Sequence, residues 1–196
     1  MRRLTAAALV ISILCYLTGC TQLPPKTAAD GSEWSETWVT VGNIIGANTP
    51  SWLEPMENVD VLAAKGMYYA TWSSGEAVPY TNAEGEETEL YDAQLYLLLA
   101  GYDSSDKAEA SMADWMNMAS AQYNVTDTCT ESHNGQEFTI ITYTFNTETN
   151  PFARGASAFG VYRNYAISVE FSCQEGFDRD ELASLREFLD SCHYAV

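Results

Sequence analysis

The chain is 196 residues long, with 27 acidic against 9 basic residues and a formal net charge of −18 at neutral pH. So negative a surface repels phosphate backbones and anionic headgroups, which excludes nucleic acid as a partner. Hydrophobic residues make up 46% of the chain and tyrosine occurs 12 times, which is ample for one packed core and excludes a disordered polymer.

Met1-Arg2-Arg3 is a short basic start, followed by an apolar run from Leu4 to Leu17. The run falls short of the roughly 20 residues a membrane-spanning helix needs and suits the hydrophobic part of a signal peptide. It ends in Leu17-Thr18-Gly19-Cys20, which resembles the lipobox of bacterial lipoproteins. That resemblance implies cleavage before Cys20 and a diacylglyceryl group on its sulfur. Each buried CH₂ contributes about 0.8 kcal/mol, so two or three acyl chains hold a protein where one is marginal. Residues 1–19 are thus expected to be a signal peptide and residues 20–36 a lipidated cysteine with a proline-marked tether. Residues 37–196 are expected to form one domain, held at the cell membrane on its extracytoplasmic side.

Along that domain, Thr37–Ile45 has the β-branched pattern of a strand, broken by the segment from Gly46 to Pro50. Val59–Ala64 is a short, weaker run, and Gly66-Met67-Tyr68-Tyr69-Ala70-Thr71-Trp72 reads as an aromatic-rich strand. Ser73–Glu89 is an acidic, turn-rich excursion, and Leu90–Tyr102 is apolar enough for a buried strand. Asp106 and Glu109 make a D-x-x-E helix start, after which Ala108, Met112, Trp115, Met116, Ala119 and Tyr123 recur on one helical face. Asn124–Thr130 and Phe138–Phe145 are strands joined by a turn at Ser132-His133-Asn134-Gly135. After a polar loop from Asn146 to Gly155, Ala156–Tyr162 and Tyr165–Cys173 form a second hairpin. Asp178 and Glu181 repeat the start signal for a last helix, with Leu182, Leu185, Phe188, Leu189 and Cys192 on one face.

Strands, a central helix, a four-strand antiparallel meander and a closing helix define an α+β fold. The layout resembles the α/β/α sandwich of the PsbP-like superfamily. The points of likeness are the Tyr68-Tyr69-Ala70-Thr71-Trp72 strand, the helix before the meander, and the ending Phe188-Leu189-Asp190-Ser191-Cys192-His193-Tyr194. The resemblance implies an antiparallel sheet with helices on it and a binding or assembly role, with no catalytic residues to carry over.

Cys129, Cys173 and Cys192 are the cysteines beyond the lipid-bearing one, in a setting that permits disulfides. Antiparallel order places Cys129 and the end of the last helix at the same end of the sheet and Cys173 at the other. A bridge needs Cα atoms within about 7 Å. Cys129–Cys192 is therefore the expected pair, with Cys173 a core thiol; three free thiols are the alternative.

No catalytic set emerges. His133 and His193 are the two histidines, and neither stands in a nucleophile–base–carboxylate pattern. Phosphate-binding glycine motifs are absent, so no nucleotide cofactor is expected. The acidic run from Glu84 to Glu89 with Asp92 lacks the spacing of a calcium loop, and no metal is expected. Phe152 and Arg154 are candidate interface residues, since aromatics and arginine favour hot spots; a structural salt bridge is the other reading of Arg154. Trp34, Trp38 and Trp52 could stack on cell-wall glycans or cap the core. The expectation is a lipid-anchored, non-enzymatic binding or scaffolding domain with a protein or cell-wall partner. A hydrolase using paired carboxylates and a small-molecule or glycan carrier are the rivals.

Overall fold

The computed structural model describes residues 38–56, 66–81, 85–146 and 150–195. Three short strands come first: β1 (Val39–Val41), β2 (Ile45–Ala47) and β3 (Glu54–Pro55). They are followed by β4 (Met67–Ser74), β5 (Val78–Thr81), β6 (Glu87–Leu90), β7 (Ala93–Gly101) and helix α1 (Ser105–Gln122). The second half is β8 (Asn124–His133), β9 (Gln136–Thr144), β10 (Arg154–Tyr162), β11 (Tyr165–Cys173), helix α2 (Glu181–Asp190) and β12 (Cys192–Tyr194).

The main sheet has seven strands in the order β3-β4-β7-β11-β10-β9-β8, with antiparallel pairing throughout. β8 to β11 are the expected meander. Its free side is extended by β7, because Ala166 pairs with Ala100 and Val169 with Leu97. A three-stranded sheet β1-β2-β12 and the hairpin β5-β6 complete the described strands. Among the described residues one helix lies on each face, giving the α/β/α layering expected of the chain. No helix among the described residues is long and apolar enough to cross a membrane.

The two faces of the main sheet differ in chemistry, and strand alternation is the cause. Ile167, Val169, Phe171 and Cys173 of β11 point to one side with Leu95, Leu97 and Leu99 of β7, and all are buried. Leu185, Phe188 and Leu189 of α2 close that side, with Trp72 edge-on to Phe188 at 4.7 Å. Each such side chain contributes roughly 1.5–3 kcal/mol when withdrawn from water. The other side carries Ala166, Ser168, Glu170 and Ser172 from the same strand. Here α1 lays Ala108, Trp115 and Ala119 over Ile141, Tyr143, Phe159 and Ala166, with Met112, Met116 and Tyr123 packed around them. The helical face read from the spacing is the face that packs.

Several boundaries differ from expectation. Thr37–Ile45 is not one strand: Gly42 and Asn43 both have positive φ, at 58° and 53°, and turn the chain into the β1-β2 hairpin. Gly46 and Ala47, read as a break, are part of β2. The helices are capped by Ser104 and Asp180, whose side chains accept from the Lys107 and Ala183 amides, so the D-x-x-E pairs mark the first turns approximately. Arg154 opens β10 instead of lying in a loop, and Cys192 sits on β12, not on the last helix. Val59–Ala64, the tether and Trp34 lie outside the described residues.

Candidate functional site

Residues that share a face and stand opposite one another in the ladders form rows across the sheet. One row on the α1 side runs Thr71, Tyr96, Glu170, Ser157 and Ile141 through β4, β7, β11, β10 and β9. The adjacent row runs Ser73, Gln94, Ser172, Gly155 and Tyr143. Hydroxyls and an amide thus replace aliphatic side chains over the centre of the sheet, with one carboxyl group among them.

Among the described residues, α1 packs over β10 and β11, and the β4-β7 side of this face is less covered. Tyr96 there keeps 41% of its surface exposed, and its hydroxyl donates to Gln94 Oε1 at 2.9 Å. On the other side of Glu170 stands an aromatic wall. Tyr123, just past the end of α1, stacks on Tyr143 at 4.2 Å and 19°, and Phe145 meets both rings edge-on. Gly155 makes the wall feasible: a Cβ there would come within 2.7 Å of the Tyr143 ring and 2.6 Å of the Phe171 carbonyl. Tyr143 reaches Ser157 Oγ at 3.0 Å.

Glu170 lies between Tyr96 and that wall. The Tyr123 hydroxyl is 3.4 Å from each of its carboxylate oxygens, and Ser172 Oγ is 3.4 Å from Oε1. These contacts sit at the long limit of hydrogen bonding. Burial dominates and pushes the carboxyl up to about 7, against smaller lowering by the two hydroxyls. Burial and the nearby carboxylate push Tyr96 up to about 12 and hold Tyr123 and Tyr143 well above the usual tyrosine range. The aromatic wall is therefore hard to ionise, and the Glu170 carboxyl holds its proton more tightly than an exposed one.

A second polar cluster lies on the α2 face of β8. Glu131 takes both the Nε and a terminal nitrogen of Arg186, and accepts from the Cys129 thiol at 3.3 Å. The Arg186 hydrogen bonds bring Glu131 down to about 2. His133 Nδ1 meets Asp190 Oδ1 at 2.7 Å, while its Nε2 stands 3.4 Å from Glu131. Asn134 Nδ2 donates to the carbonyls of Asp190 and Cys192. Burial and Glu131 push the Cys129 thiol up, so it is a thiol that donates rather than a thiolate that attacks. Cysteine and histidine each face a carboxylate, not each other. The cluster clasps the β8-β9 hairpin to α2.

The same contacts explain the cysteines. All three are free thiols. The hairpin turn lies at the end of the last helix, as antiparallel order implies, but Asn134 is the residue that meets Cys192. His133 lies opposite Asp190 and Glu131 opposite Arg186, so two strand residues correspond to about one helical turn. Cys129 lies with Glu131 beside Arg186, part-way along α2 and not at its end. The expected Cys129–Cys192 pair is not bonded because β8 extends to His133 and carries Cys129 away from the turn. Cys173 is a buried core thiol, as expected.

Arg154 takes its structural reading. Nε donates to Glu181 Oε2 at 2.8 Å, one terminal nitrogen to the carbonyls of Gln174 and Glu175, and the other to those of Phe177 and Arg179. All five N–H donors are used inside the chain, leaving none for an interface. Phe152 is half-buried against Phe145. Trp38 stacks on His193 at 4.4 Å, and Trp52 is edge-on to Phe171 beneath the Arg179 guanidinium, so both serve packing. Among the described residues, no group of three or more His, Cys, Asp or Glu gathers to hold a metal ion. Glu170 and its tyrosines were not singled out from the sequence. The available signal was an acidic residue at an inward position between Ser168 and Ser172 in an otherwise apolar strand.

No family model and no curated protein matches this chain. Among solved structures, a crystal structure from Bacteroides thetaiotaomicron VPI-5482 superposes with a TM-score of 0.51 at 9% identity, over 80% of this chain. This chain spans about half of that protein, 47% of its length, and at that identity the likeness is one of fold alone. The solution structure of cyanobacterial PsbP (CyanoP) from Synechocystis sp. PCC 6803 aligns over 75% of this chain and 95% of its own, with 14% identity and a TM-score of 0.37.

Proposed function

We propose that this chain is a membrane-anchored extracytoplasmic lipoprotein whose domain binds its target without transforming it, through the hydroxyl-rich half-face around Glu170. The observation that carries the binding reading is the exposed Tyr96 ring standing in register beside the Glu170 carboxyl, on the less covered part of a sheet face. Exposed aromatics beside a few convergent polar groups are the usual make-up of a recognition surface. A hydrolase working through paired carboxylates needs a second acid across the cleft. Glu170 is reached instead by the hydroxyls of Tyr123 and Ser172, which favours binding. The anchor reading is supported by the lipobox resemblance of Leu17-Thr18-Gly19-Cys20.

Two measurements test the proposal. Intact mass of protein purified from its own membranes is expected to equal the chain from Cys20 plus acyl groups, and to lose them in Cys20→Ala; an unlipidated mass overturns the anchor. A photo-crosslinking amino acid at position 96, compared with one at exposed position 118 on α1, reports the binding face in living cells. Adducts specific to position 96 are expected. Equal crosslinking from both positions, or none from either, overturns the assignment.

A further inference from the structure

We infer that Glu170, Tyr96 and Tyr123 form a site for an organic cation, an ammonium or guanidinium group presented by the ligand. The inference rests on the reading of this half-face as the binding surface and names the chemistry that surface recognises.

The first ground is an uncompensated carboxylate. Glu170 is half-buried, and a carboxylate that has lost part of its water gains from an opposite charge or several good hydrogen bonds. Glu170 has hydroxyl contacts of 3.4 Å, which leave most of its acceptor capacity unused. The described basic residues are committed elsewhere. Lys107 pairs with Asp103, Arg154 with Glu181, Arg179 with Glu187 and Arg186 with Glu131, while Arg163 lies over Tyr162. Lys26 and Lys65 lie outside the described residues.

The second ground is the aromatic frame. Tyrosine faces attract cations through the ring quadrupole. Tyr96 from β7 and the stacked pair of Tyr123 and Tyr143 flank the carboxyl on opposite sides. Tyr69 of β4 stands beyond Tyr96 on the same face. Among the described residues, the titratable side chains placed around Glu170 are the tyrosines Tyr69, Tyr96, Tyr123 and Tyr143, and no basic side chain stands among them. A domain with a net charge of −18 also draws cations from solution and repels anions. A neutral sugar would use the same rings but would leave the carboxylate without its counter-charge.

The test uses the full mature chain, purified from membranes in non-ionic detergent and carrying labelled tyrosine. At pH 8 it is titrated with n-butylammonium chloride and, separately, with n-butanol as the neutral match. The expected result is saturable movement of the Tyr96 and Tyr123 ring signals with the ammonium alone. Glu170→Gln is expected to weaken that binding at least about tenfold, and Tyr96→Ala to weaken it as well. Should Glu170→Gln not fold, Tyr96→Ala decides, since it removes a ring that is 41% exposed. No saturable shift, an equal response to n-butanol, or undiminished affinity in the decisive variant overturns the cation site. Persistent crosslinks at position 96 without ammonium binding would overturn this inference alone; loss of both would overturn the binding face too.

Discussion

Arg154 and Glu181 meet at 2.8 Å, joining the first residue of β10 to the first residue of α2 across 27 positions of chain. The same guanidinium gathers four carbonyls of the connection between β11 and α2. That connection lacks regular hydrogen bonding of its own, so one side chain substitutes for a ladder. The helix that closes the apolar core is thereby held at its N-terminal end by the sheet it covers.

Arg154→Lys should therefore be costly although it preserves charge. An ammonium on a flexible stem cannot serve a carboxylate and four carbonyls in a plane, although water can reach several of these half-buried or exposed acceptors. A loss of about 1 kcal/mol is expected from urea unfolding. An unchanged midpoint would show that the connection holds itself.

Glu170 makes stability depend on pH in an unusual direction. Its folded-state value is raised from 4.5 to about 7, so the folded domain binds the proton more tightly than the unfolded chain. The stabilisation is complete below about 4.5 and is lost as pH rises to about 7, by an amount reduced by the solvent that still reaches this half-buried side chain. Glu170→Gln should remove this decline and leave the variant more stable than the parent at pH 7.5. Unfolding curves for both proteins at pH 5 and pH 7.5 check it; parallel pH dependence would sink the assignment.

Glu131 titrates with the opposite sign. Arg186 holds it at about 2, so its pairing stabilises the fold above about 4.5 and is lost as pH falls toward 2. Arg186→Met should lower stability at neutral pH and remove the part of acid unfolding that belongs to this pair. If the parent and variant differ equally at pH 2.5 and pH 7, the pair is not what holds β8 to α2.

Gly155→Ala should damage the aromatic wall. The new methyl would meet the Phe171 carbonyl at 2.6 Å and the Tyr143 ring at 2.7 Å, and the carbonyl belongs to a paired strand that cannot yield. Overpacking of this kind costs about 1–3 kcal/mol. The expected readout is a lower thermal midpoint together with shifted Tyr143 and Tyr123 ring signals. A variant with parent-like stability and unmoved rings would contradict the close approach seen here.

The thiols provide a count. Denatured, non-reduced mature protein should take up three maleimides, at Cys129, Cys173 and Cys192. In the native state Cys129 should react first, since Cys173 and Cys192 are buried and burial pushes them up to about 11 and about 12. Recovery of one thiol after denaturation would mean that a bridge forms after all.

Local pattern was enough wherever neighbours in sequence are also neighbours in space. The spacing of Ala108, Met112, Trp115, Met116, Ala119 and Tyr123 determined the packed face of α1, and Asn134-Gly135 determined the β8-β9 hairpin, because helical periodicity and turn chemistry need no distant partner. Only tertiary structure decided that β7 lies beside β11, that Cys129 stands beside Glu131 and Arg186 part-way along α2 instead of at its end, and that Arg154 is spent within the chain. The candidate site belongs to this second group. Tyr96, Tyr123, Tyr143 and Glu170 come from four separate elements, and their meeting depends on strand order and ladder register. A shift of one residue in any of those ladders would turn the carboxyl to the opposite face, and register is an energy of the whole sheet rather than of any one strand.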